Sequence, residues 1–149
     1  MPDDDEPIPR EHMYQEFEMI QNIIDRQASN SFKIKGWTVT LVVVALLFRT
    51  SNFQLFGAVL PLIGFWGLDA YYLRQECKYR ELYNWVRQAR PESDEHLFDL
   101  DASRFENDID GFIPMMFSTT LVLFYGVIAL LLIGFSVVTI YTNGGAALG

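Results

Sequence analysis

Asp69 is the residue whose position most invites chemistry. It follows Phe53–Leu68, sixteen residues without a charge. An ionisable group at lipid depth is treated as functional unless water or a partner accounts for it. Two lysines, Lys33 and Lys35, stand just before the preceding apolar run, Trp37–Phe48. Three readings follow for Asp69: a charge at a pore mouth, a pair with Lys33 or Lys35 inside a helix bundle, or an interfacial carboxylate in contact with water and headgroups. The last asks nothing further of the sequence and is the expectation adopted.

Other reactive patterns are weaker. Asp99, Asp101, Ser103 and Asp110 have the spacing of a calcium loop. Arg104 stands where such a loop requires glycine, and Asp110 where it requires glutamate, so calcium is not expected. His12 and His96 are far apart, and no Cys/His cluster suggests a metal. No GxSxG, Walker or GxGxxG pattern occurs, and no nucleophile stands beside a base, so neither an enzyme nor a cofactor is expected. The single cysteine, Cys77, cannot form an internal disulfide and reads as an inert thiol. Nucleic acid is excluded as a partner, because the polar segments are acidic and phosphate would repel them.

The elements that must position these residues start from Thr120–Ile140, twenty-one residues without a charge. As a helix that run is roughly 30 Å long, the thickness of a bilayer's hydrocarbon core. The net charge of −8 therefore describes the aqueous parts: eight acids lie in residues 1–32 and eight in 92–110. Residues 1–9 hold three prolines and an acidic run and read as a disordered tail. No cleavable signal peptide is expected at this polar start. From Arg10, Met13, Phe17, Ile20 and Ile24 recur at helical spacing. Residues 10–35 are thus a cytoplasmic amphipathic helix, whose acidic polar face suits protein better than anionic lipid.

Residues 36–73 read as a transmembrane hairpin, Trp37–Phe48 and Phe53–Leu73, turning at Arg49–Asn52. The first arm is short for a span and needs the interface and snorkelling lysines to complete it. Gly57, Pro61, Gly64 and Gly67 give the second arm a small, kinkable side, expected to serve helix packing. Residues 74–112 continue as a cytoplasmic stalk helix ended by Pro91, then an acidic connector with a Ser103-x-x-Glu106 capping box. Residues 113–142 form the third transmembrane helix, and 143–149 a flexible tail.

Ten of the eleven Lys and Arg residues lie in segments on one side of this layout, and only Arg49 lies on the other. Basic loops stay in the cytoplasm, which puts the N-terminus inside and the C-terminus outside a cell's inner (plasma) membrane.

Asp25–Trp37, DRQASNSFKIKGW, leads into the first apolar run, and Phe65–Glu76, FWGLDAYYLRQE, leads out of the second. Together they resemble a group of small, multi-span prokaryotic membrane proteins. The layout is similar to that of the SLATT-type two-span effectors, and this resemblance implies pore formation in antiviral defence. The third span departs from the two-span plan, and no catalytic residue is carried over.

The sequence thus predicts an all-α integral membrane protein whose first partner is the lipid bilayer. The apolar faces of Met13–Ile24 and Tyr72–Val86 exceed what one small protomer readily buries, which predicts a homo-oligomer. The leading expectation is a non-enzymatic, self-assembling pore or membrane-disrupting effector. The alternative is a structural or accessory anchor for a cytoplasmic partner.

Overall fold

A computed structural model describes residues 10–47, 54–89 and 96–146 of the chain. Those residues form four helices and one short 3-10 turn, Ala102–Phe105, with no strand among them. The helices are α1 (Arg10–Leu47), α2 (Gln54–Ala89), α3 (Phe112–Met116) and α4 (Thr119–Ala146). The expected tail at 1–9, the turn at Arg49–Asn52 and the stop at Pro91 lie outside the described residues.

Helix α1 runs 38 residues without a break. The amphipathic helix expected at 10–35 and the first apolar run are therefore one rod. Gly36 is exposed with nothing near its Cα, and one such glycine costs a helix only about 1 kcal/mol. Helix α2 likewise joins the second apolar run to the stalk and carries Pro61 inside it. The third apolar segment, expected as one helix from 113, is split. Gly111 caps α3, the backbone turns at Phe117 (φ −94°, ψ 16°), and Val122 N–H donates to Ser118 O to open α4. Two helices, α1 and α4, are long and apolar enough to cross a membrane.

Two cores sit one above the other along α1 and α2. The upper one gathers Val42 from α1, Ala58, Leu62 and Ala70 from α2, and Leu121, Tyr125 and Leu132 from α4. The lower one gathers Ile20 from α1, Leu82 and Val86 from α2, and Ala102 from the connector, with Phe17, Ile24 and Tyr83 alongside. The stalk faces thought to be left unburied in one chain therefore cover each other. That removes the area argument for a homo-oligomer.

The small residues that let helices approach are also not those expected. Ala58 and Ala70 are fully buried, whereas Gly57 and Gly64 are exposed. A methyl on Gly57 or Gly67 would meet its nearest neighbour at 4.0 Å, an ordinary contact, and one on Gly64 would meet nothing. Pro61 is half-buried.

The connector is tied to α2 at several points. Trp66 Nε1 donates to Met116 O at 2.9 Å, and Arg74 Nε donates to Asp110 O at 3.2 Å. Arg74 Nη1 pairs with Glu106 Oε1 at 3.0 Å, and Lys78 Nζ stands 3.7 Å from the same oxygen. The capping box expected at Ser103 is displaced. Asp101 is the N-cap, accepting from Ser103 N at 2.8 Å, while Glu106 ends the turn and gives its carboxylate to Arg74.

Candidate functional site: a buried polar knot

Helical spacing assembles the first wall of the site. Ser31 and Lys35 are four residues apart on α1 and so share a face. That face continues through Ile34, Thr38 and Val42, all buried. Asp69 arrives from α2 and Tyr125 from α4, four residues after buried Leu121.

Asp69 is 0% exposed, the opposite of the water-bathed carboxylate expected. Ser31 Oγ donates to its Oδ1. Lys35 Nζ pairs with its Oδ2 at 2.6 Å and also donates to Ser31 Oγ at 2.8 Å. Tyr125 OH stands 3.2 Å from Asp69 Oδ2 and 3.1 Å from Phe65 O, with a single proton to share between these acceptors. The carboxylate is covered from two sides: α1 supplies Ser31 and Lys35, and α4 supplies Tyr125, whose ring stacks on Trp66 with centroids 6.0 Å apart.

Of the two candidate lysines, only Lys35 reaches Asp69. Lys33 is exposed, because two residues along a helix turn a side chain to the far side. The stem of Lys35 lies along the bundle, and its ammonium sits 6.0 Å from the Phe124 ring centroid. Gly57, Pro61, Gly64 and Gly67 take no part in the knot.

Ser31 and Tyr125 were not evident from the sequence. Ser31 is hidden in the polar run Ala28–Ser31, and Tyr125 in an uncharged span. One signal could have found Tyr125: it carries a hydroxyl in the first turns of an otherwise hydrocarbon helix, and buried hydroxyls seek partners.

Chemically, the knot holds charge. Ser31, Lys35 and Tyr125 converge on one carboxylate. An ion pair removed from water is kept by such hydrogen bonds, and removing one partner leaves an uncompensated charge.

The remaining candidates do not gather into a second centre. Asp99 accepts from Asp101 N at 3.0 Å, so these carboxylates cap turns. No group of three or more His, Cys, Asp or Glu able to hold a metal occurs among the described residues. His12 packs edge-on to Phe98, and His96 to Trp85. Cys77 is half-buried; desolvation, with Glu76 nearby, pushes its thiol above the ordinary value of 9.0 and keeps it protonated at neutral pH. On the stalk, α1 and α2 leave an open groove of about 600 Å³ lined by Tyr14, Phe17, Glu18, Gln21, Asn22, Tyr83 and Arg87.

Compared with known proteins, the chain matches no family model, no curated protein and no solved structure.

Proposed function

We propose that this chain is a non-enzymatic, multi-pass protein of the cell's inner (plasma) membrane that anchors a rigid helical stalk in the cytoplasm for a protein partner. In this reading the upper halves of α1 and α2 and the whole of α4 make three passes. The N-terminus and the connector are cytoplasmic, and the C-terminus is outside.

The observation that carries it is an inversion of polarity along the same two helices. In the upper half the interior is polar at Asp69 and the surface is hydrocarbon. Only 22% of the apolar stretch of α4 is buried, and Leu123, Leu130, Leu131, Ile133 and Ile140 face outward. Hydroxyls on those outer faces are satisfied by their own helix: Thr40 bonds Gly36 O at 2.9 Å, Thr139 bonds Phe135 O at 2.9 Å, and Thr142 bonds Val138 O at 3.0 Å. Lipid supplies no hydrogen bonds, so this is how a hydroxyl must behave there. The distribution of Lys and Arg supports the orientation.

The same geometry favours the anchor over the self-assembled pore. A pore mouth built on Asp69 needs that charge facing water. Asp69 is engaged by Lys35, Ser31 and Tyr125 within one chain, and an aromatic-lined groove lies on the stalk. The test is reconstitution of the full chain into dye-loaded vesicles carrying a potassium gradient. The anchor predicts dye retention and a membrane potential equal to those of protein-free vesicles. Leakage or depolarisation that scales with protein would overturn it and restore the pore.

A further inference from the structure

We propose that α3 is an interfacial foot: Phe112, Ile113 and Phe117 seat in the headgroup–acyl boundary of the cytoplasmic leaflet, against a zwitterionic phospholipid surface. This rests on the membrane reading above and adds the depth at which the chain sits.

The first observation is exposure. Ile113 is 61% and Phe117 63% exposed, and Phe112 is exposed beside them. A five-residue helix has no stability of its own and must be held by its surroundings. Three large apolar side chains, two on α3 and one at its C-cap, each at least 40% exposed, make a patch that water does not favour.

The second observation is level. Trp66 donates to Met116 O, its ring meets Phe117 edge-on at 5.6 Å, and Phe112 Cζ would stand 4.0 Å from a methyl on Gly67. These contacts fix α3 beside Trp66–Asp69, the turn of α2 that carries the buried ion pair. That turn ends the uncharged run of α2, and the first basic residue, Arg74, follows one to two turns below. Trp37, Leu68 and Tyr71 are also exposed around this level. Aromatic side chains with one apolar and one wet end belong at that boundary.

The third observation is continuity. The outward surface of α3 runs into that of α4, which begins after two intervening residues, Phe117 and Ser118, and exposes Val122 and Leu123 within its first turns. The occupant that covers α4 therefore also reaches α3.

Charge selects the lipid. Asp108 and Asp110 are exposed just before α3, and Arg74 and Lys78 are turned to Glu106. A negative leaflet would repel this segment, so neutral headgroups fit it better.

The experiment uses the full chain with Cys77→Ser, carrying a nitroxide in turn at Ile113→Cys, Phe117→Cys, Asn107→Cys and Leu130→Cys. All four positions are exposed, so a label does not disturb a core. In phosphatidylcholine vesicles, collision rates with oxygen and with a water-soluble nickel complex report depth. The foot predicts an oxygen-to-nickel ratio at Ile113 and Phe117 several-fold above that at Asn107 and below that at Leu130. Ratios at Ile113 and Phe117 equal to that at Asn107, with Leu130 oxygen-rich, would overturn the foot and leave the membrane reading standing. A nickel-exposed Leu130 would overturn both.

Discussion

The upper and lower halves of the α1–α2 pair solve opposite problems with the same two helices. Below, Ile20, Leu82 and Val86 are fully buried while Glu11, Glu18, Asp25 and Arg87 face out, the ordinary arrangement for water. Above, Asp69 is fully buried while Leu41, Val43, Leu60 and Ile63 face out. On the proposed reading each half hides most of what its solvent would not accept; Glu16, fully buried in the lower half, accepts from Phe98 N–H at 3.2 Å. In lipid there is no hydrophobic drive between helices, so packing and hydrogen bonds must hold them together. On the membrane reading proposed above, the knot joins α1, α2 and α4 where burial of hydrocarbon alone could not.

The largest expected effect breaks the upper half. Asp69→Asn leaves the Lys35 ammonium, on a side chain 20% exposed, without its counter-charge and should cost about 3 kcal/mol. Replacing both together, Lys35→Met with Asp69→Leu, should recover most of that loss, and Lys33→Gln should change stability by less than about 0.5 kcal/mol. Denaturant unfolding in lipid bicelles measures all three. An Asp69→Asn variant as stable as the parent would mean that water reaches the carboxylate.

Next comes the apolar core below. Leu82→Ala leaves a cavity between α1 and α2 and should cost about 3 kcal/mol. The loss should appear as faster amide exchange in the stalk, with α4 unchanged. Equal acceleration in α4 would mean that the two halves unfold as one unit. Tyr125→Phe should cost about 1 kcal/mol, because Asp69 keeps Ser31 and Lys35 after the phenol is gone. The smallest effect is electrostatic. The hydrogen bond from Arg74, helped by Lys78, holds the Glu106 carboxyl below its ordinary value of 4.5. A lowered carboxylate stabilises the fold above that value, and the contribution is lost as pH falls through the folded pKa. Unfolding midpoints of the parent and of Glu106→Gln should therefore differ slightly at pH 7 and converge below about pH 4.5. A gap that persists in acid would assign the difference to packing.

The halves also differ in how far the sequence revealed them. Helix α4 was legible because twenty-one uncharged residues leave few alternatives. The lower core was legible as two apolar stripes, Met13–Ile24 and Tyr72–Val86, but not as partners, since periodicity shows a face and never what covers it. The amphipathic segment and the first apolar run join without a break at Gly36, because glycine only lowers helix propensity and both neighbouring segments are helical. At the knot, Asp69 and Lys35 stood out as charges beside apolar runs. Ser31 and Tyr125 did not, because a serine in a polar run and a tyrosine in an apolar one match their surroundings. Their roles come from long-range packing that no local window contains: Ser31 meets Asp69 where α1 packs on α2, and Tyr125 meets it where α4 closes on the pair.

The central claim is that the two halves face different solvents because the chain crosses the membrane three times. The most direct test is a reporter active only in the cytoplasm, fused after Pro91 or after Gly149. Three passes predict activity after Pro91 and silence after Gly149. Activity at both sites would require an even number of passes and would contradict the account.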